Sequence, residues 1–118
     1  MTEEKIKIYV DGSGNGKFGF QDENGYSEVF QQEGTNNQNE YRAVKQAILY
    51  AFSKGKLEIE ILSDSKLIVE QLNHNWHIKD DILRKLAIEI WNIIKGYNLN
   101  VKFSWIPREQ NKAGKLLG

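Results

Sequence analysis

Residues 5–10, Lys-Ile-Lys-Ile-Tyr-Val, set apolar Ile6, Ile8 and Val10 against polar or amphipathic neighbours, the two-residue period of a half-buried strand. Asp11-Gly12-Ser13-Gly14-Asn15-Gly16 interrupts it as a turn, because its glycines tolerate positive φ. Residues 17–21 and 26–32 read as a second and a third strand. They are joined through Asp22-Glu23-Asn24-Gly25, where Asn-Gly favours a tight hairpin. Three strands with short turns predict an antiparallel meander.

After the polar run Gly34 to Asn39 the period becomes helical. Tyr41, Val44, Ala47, Ile48 and Ala51 fall on one face up to about Lys54, an Asn of the run is placed to cap the start, and Gly55 ends the helix. Residues 57–62 alternate again as a fourth strand, 65–73 form a short helix, and 79–95 form a longer one closed by Gly96. A fifth strand covers 100–106, and 112–117 begin a last helix. The order βββ-α-β-α-α-β-α predicts an α/β fold. Its mixed five-stranded sheet, three antiparallel strands plus two parallel, is flanked by helices, with strands one and four adjacent.

Composition narrows the class. A chain of 118 residues, 40% hydrophobic, has enough material for one core, so residues 1–118 are expected to form a single domain. Sixteen basic residues balance sixteen acidic ones, so a nucleic-acid partner has to be held by a local patch. Without cysteine there is no disulfide framework, zinc-thiolate site or thiol nucleophile. No apolar run reaches membrane-span length, and the start MTEEKIKIYV lacks a secretory apolar region. The expectation is a cytoplasmic monomer that does not engage a membrane.

Three carboxylates occupy special places in this plan: Asp11 at the end of strand one, Glu40 in the first turn of the first helix, Asp64 at the end of strand four. Adjacent strand ends in an open sheet converge, and ligands favour such edges. Three converging carboxylates repel unless a cation neutralises them, and hard oxygens select Mg²⁺ or Mn²⁺. The competing explanation is local: Asp11 and Asp64 as turn formers, Glu40 as a favourable charge near a helix N-terminus.

The strings around these residues tip the balance. Tyr9-Val10-Asp11-Gly12-Ser13, Thr35-Asn36-Asn37-Gln38-Asn39-Glu40-Tyr41-Arg42-Ala43, Ser63-Asp64-Ser65-Lys66 and Trp105-Ile106-Pro107-Arg108-Glu109-Gln110-Asn111, in that order, resemble the type 1 ribonuclease H family over roughly 5–117. The resemblance implies a ribonuclease H-like fold and endonucleolytic hydrolysis of the RNA strand of RNA–DNA hybrids. It implies two divalent ions held by four acidic residues, with 5′-phosphate and 3′-hydroxyl products. Asp11, Glu40 and Asp64 match three of the four. The family's last Asp, at the start of the final helix, has no counterpart, because the chain runs Asn111-Lys112-Ala113-Gly114-Lys115 with no acid after Glu109. Asn111 is the expected substitute ligand through its amide oxygen, helix capping is its competing role, and Glu109 is a possible accessory. No His stands in the loop Pro107–Lys112.

For substrate, the resemblance points to backbone N–H groups of Gly12 and Ser13 toward the RNA strand. Asn36, Asn37 and Gln38 would read the minor groove with its 2′-hydroxyls, and Lys66 would meet a phosphate. Trp76, in the loop between the second and third helices, is a candidate for stacking on a deoxyribose or for covering the core edge. Trp91 and Trp105 are expected in the core. The basic helical handle of some relatives has no counterpart here, which with zero net charge predicts modest hybrid affinity and steep salt sensitivity. The alternative from another class is a catalytically weak or inactive hybrid-binding module.

Overall fold

The computed structural model describes residues 5–117; residues 1–4 and Gly118, including the start of the N-terminal segment and the ends of the single-domain expectation, lie outside the described residues. The strands are β1 (Lys5–Gly12), β2 (Lys17–Asp22), β3 (Ser27–Gln31), β4 (Glu58–Ser63) and β5 (Asn100–Trp105). The helices are α1 (Asn36–Ser53), α2 (Lys66–Leu72) and α3 (Asp81–Gly96). The sheet order is β3-β2-β1-β4-β5. β1 and β2 pair antiparallel, as do β2 and β3, whereas β1–β4 and β4–β5 are parallel. This is the mixed sheet that the sequence pattern predicts.

Alternation decides which face is covered. Ile6, Ile8 and Val10 of β1, Phe18 and Phe20 of β2, Ile59 and Ile61 of β4 and Phe103 of β5 are buried. They pack beneath Val44, Ala47, Ile48 and Ala51 of α1, with Ala87 and Ile90 of α3 completing the layer. Tyr41 is fully buried, and its hydroxyl donates to Gln71 Oε1 at 2.8 Å, so the core carries its one phenol without an unmet polar group. Lys45 of α1 reaches Glu89 of α3 at 3.0 Å across the outer surface.

Element ends differ instructively from the sequence expectation. The cap of α1 is Thr35 rather than an Asn: its hydroxyl accepts from Gln38 N–H at 3.1 Å while Gln38 Oε1 accepts from Thr35 N–H, a reciprocal capping box. Gly96 belongs to α3, and the left-handed residue beyond it is Asn98, at φ 55°. Two 3₁₀ helices follow β5: Arg108–Gln110, inside the expected loop, and Lys112–Leu117, in place of the α-helix expected over 112–117. Gly114 in the second lowers helix propensity, and the short reach of the segment suits the tighter turn. Trp91 is partly buried with its indole N–H on Leu72 O, but Trp105, expected inside, is 48% exposed. Trp105 ends the edge strand β5 with its indole N–H on Asp64 O, and its strand period alone did not make it core. No described helix is long and apolar enough to cross a membrane.

Candidate active site

The parallel pairing of β1 and β4 sets Tyr9 opposite Leu62, so two residues further on Asp11 and Asp64 leave the sheet at the same edge. Glu40 arrives from α1, which comes so close to β1 that a Cβ on Gly12 would lie 2.4 Å from the Asn39 carbonyl carbon and from Glu40 N. Only glycine fits there. The approach lets Gly12 N–H donate to Glu40 Oε2 at 2.7 Å, and Ser63 hydroxyl donates to Glu40 Oε1 at 3.2 Å. One carboxylate oxygen from each of Asp11, Glu40 and Asp64 lies within 4.8 Å of the others.

The cost of that convergence appears in proton affinity. Burial pushes the Glu40 carboxyl well above the usual range, and the hydrogen bond and charge of Asp11 push it further. Asp11 is also raised, first by burial and then by Asp64, while the hydrogen bonds from Glu40 and Gly12 and the charge of Arg108 pull it down. Three hard oxygen donors gathered this closely fit a divalent cation such as Mg²⁺ or Mn²⁺.

The other expected residues divide into those in the cleft and those away from it. The cleft, about 620 Å³, is lined by the three carboxylates and by Asn36, Asn37, Ser13, Glu109 and Asn111 among others. The Gly12 N–H also meets Asp11 Oδ1 and the Ser13 N–H donates to Lys17 O, so both backbone donors are engaged within the chain. Gln38 is on α1 but its side-chain oxygen is held in the capping box. Lys66 starts α2 beside the exposed Trp105 ring, 5.8 Å from its centroid. Trp76 lies in a different groove with His74, His77 and Arg84.

Asn111 is buried at the floor of the cleft. Its amide nitrogen donates to Val10 O at 2.9 Å and to Asp64 Oδ2 at 3.1 Å, while its oxygen accepts from Ala113 N–H at 3.0 Å. A carbonyl on one side and an N–H on the other fix which way the amide points. Asn111 thus turns a donor toward Asp64 and caps the second 3₁₀ helix.

Sequence reasoning assigned no role to Ser63, which orients Glu40, or to Arg108 and Lys115, which line the cleft. Ser63 and Arg108 stood in the quoted strings, and their places beside two candidate ligands were the available signal.

Residues 11–117 match the family described as reverse transcriptase-like. The chain belongs to this family, and its relatives place it with the type 1 ribonucleases H. A ribonuclease HI of Halobacterium salinarum is 31% identical over 83 residues, 70% of this chain and 41% of that protein. A bifunctional protein of Mycobacterium tuberculosis is 34% identical over 77 residues, 65% of this chain and 21% of that protein. The chain thus spans well under half of these curated relatives. Among solved structures, ribonuclease H1 from Halobacterium salinarum superposes with a TM-score of 0.85 at 27% identity, covering 96% of this chain and 93% of that one. A ribonuclease H1 isolated from compost gives 0.84 at 32% identity, covering 97% and 93%. Another structure of that compost enzyme, in complex with an RNA/DNA hybrid, gives 0.80 at 29% identity, covering 96% and 99%.

Proposed function

We propose that this chain is a divalent-metal-dependent ribonuclease H that hydrolyses the RNA strand of RNA–DNA hybrids, leaving 5′-phosphate and 3′-hydroxyl ends. The observation that carries the reading is the convergence of Asp11, Glu40 and Asp64 within 4.8 Å at one sheet edge, in a chain whose relatives are ribonucleases H.

Asp11, Glu40 and Asp64 are the metal-holding residues of this reading. Bound Mg²⁺ or Mn²⁺ supplies Lewis acidity, activating water toward phosphorus and stabilising charge on the leaving 3′ oxygen. The chain's own groups prepare the site. Ser63 hydroxyl and Gly12 N–H hold the two Glu40 oxygens in place. Asn111 serves through its amide nitrogen, which fixes one Asp64 oxygen and leaves the other for the ion. Ligation through the Asn111 oxygen requires the amide to turn over and give up its bonds to Val10 and Ala113. Asn36 and Asn37 sit on the rim where 2′-hydroxyls of a hybrid's RNA strand would pass. A hybrid bound by a structural neighbour supports this choice of substrate.

The missing fourth carboxylate favours a second reading, a module that binds hybrids without cutting them. End-labelled hybrid incubated in Mg²⁺, Mn²⁺ and EDTA separates the two. Metal-dependent cleavage confined to the RNA strand and lost in Asp11→Asn supports the enzyme; tight binding without cleavage supports the module.

A further inference from the structure

Asn39, in the first turn of α1 and one residue before Glu40, carries a fully buried amide that the proposed reaction does not use. Burying an amide lowers stability unless its donors and acceptor are met. Here they are met across three segments of the chain. The nitrogen donates to Ser13 O at 2.8 Å and to Gln32 O at 3.2 Å, and the oxygen accepts from Arg42 Nη1 at 3.0 Å. Two carbonyls on one side and a guanidinium on the other fix which way the amide points. Arg42 in turn donates to Glu33 O at 3.1 Å, and a Cβ added to Gly34 would collide with the same Nη1.

Those carbonyls belong to the two segments that form one wall of the cleft. Ser13 opens the turn between β1 and β2, while Gln32 and Glu33 lead from β3 to α1. Ser13, Gly14, Asn36 and Asn37 line the cleft beside the carboxylates. The segments run close together: a Cβ on Gly14 would sit 3.8 Å from Asn36 N, and Gln32 N–H donates to Gly16 O at 2.8 Å. Asn39 ties both segments to α1 from beneath. Glu40 has separate supports in Gly12 N–H and the Ser63 hydroxyl. A rim held at one spacing before the ligand arrives spares the binding energy otherwise spent on ordering it. RNA differs from DNA at the 2′-hydroxyl, so a residue that sets the spacing of a rim reading that group sets selectivity together with affinity.

We propose that Asn39, backed by Arg42, is a positioning residue that holds the two rim segments in register and thereby sets the affinity of the cleft for an RNA–DNA hybrid and its preference for hybrid over DNA duplex. This rests on the ribonuclease H reading and adds to it a residue that touches neither metal nor substrate.

The test uses three readouts on the full chain. Hydrogen exchange without metal or nucleic acid reads the brace itself. In Asn39→Ala the hydrogen-bonded amides of Ser13 and Gln32 are expected to speed up roughly tenfold more than those of β4 and β5. Binding in Ca²⁺, without cleavage, reads affinity: Asn39→Ala is expected to weaken hybrid binding roughly tenfold and DNA-duplex binding much less. Single-turnover cleavage in Mn²⁺, well below the melting point of each variant, is expected to stay within about threefold at saturating hybrid. Arg42→Ala, which keeps both Asn39 donor bonds, is expected to shift hybrid binding about threefold in the same direction, and less than additively with Asn39→Ala. Lys45→Ala removes a cation further along the same helix, paired there with Glu89, and is expected to alter none of the three.

Exchange at Ser13 and Gln32 no faster than in β4 overturns the proposal. So does unchanged hybrid binding in Asn39→Ala, or a loss confined to the rate at saturation, which would place the effect on Glu40. Should Asn39→Ala fail to fold, Arg42→Ala decides alone, and a shift no larger than that of Lys45→Ala overturns the proposal. Failure of the unaltered chain to bind or cut any hybrid removes the ribonuclease H reading and the selectivity with it, whereas the exchange result still decides the brace.

Discussion

The two ends of the same parallel strands handle charge in opposite ways. At the amino end, Lys7 stands across from Glu60 and Glu60 across from Lys102, so opposite charges face each other along the sheet. Glu60 also accepts from Ser104 at 2.8 Å and lies 4.0 Å from the Lys102 ammonium. At the carboxyl end, Asp11 and Asp64 emerge side by side and Glu40 is pressed against them. Both ends are concave, about 490 and 620 Å³. Concavity therefore does not mark the site. Charges that cancel across strands serve the fold, whereas charges of one sign held together against their own repulsion call for something else to bind.

Breaking the carboxyl end has the largest expected effect. Asp64→Asn should lower hybrid cleavage by roughly a thousandfold or more, about 4 kcal/mol of barrier, measured as single-turnover rate in Mn²⁺. The buried amide beneath it comes next. Asn111→Ala leaves Val10 O and Ala113 N–H without their partners, at a cost of about 2–3 kcal/mol in urea unfolding. It should also lower activity by roughly ten- to a hundredfold, because Asp64 is no longer oriented.

A smaller effect follows from the raised carboxyls. Glu40 and Asp11 hold protons more tightly folded than unfolded. Their contribution to metal-free stability is therefore full below the ordinary carboxylate range and is lost as pH rises through their folded values. In EDTA, the melting temperature of Glu40→Gln should gain on that of the unaltered chain as pH rises from acid to neutral. Mn²⁺ should raise the melting point of the unaltered chain more at alkaline than at acid pH, since it binds the deprotonated cluster. The amino end should show the least. Glu60→Gln is expected to change stability by no more than about 0.5–1 kcal/mol and to leave cleavage unchanged, because its pairs are partly exposed.

What could be read from the chain follows the same division. The sheet was legible because Ile6, Ile8 and Val10, and Ile59 and Ile61, alternate with charged or amphipathic residues, and alternation is dictated by a single buried face. The carboxylates were legible because strand ends and a helix start are fixed by turn chemistry that short strings reveal. The direction of the Asn111 amide was not legible. It depends on Val10 O and Ala113 N–H, one of them 101 positions distant, and nothing local to Asn111 distinguishes a ligand from a cap. Trp105 misled for a related reason: strand periodicity tells which face a side chain takes, not how fully that side chain is covered at the end of an edge strand. The capping box hid behind the asparagines, since Thr35 and Gln38 had to be read as a pair.

Manganese titration of the unaltered chain against Asp64→Asn at alkaline pH is the most direct measurement of whether three converging carboxylates form a metal centre. The expected result is saturable binding in the unaltered chain, with uptake of Mn²⁺ accompanied by proton release, and a loss of affinity of tenfold or more, about 1.4 kcal/mol, in the variant. Equal binding by the two proteins, or none by either, would contradict the account.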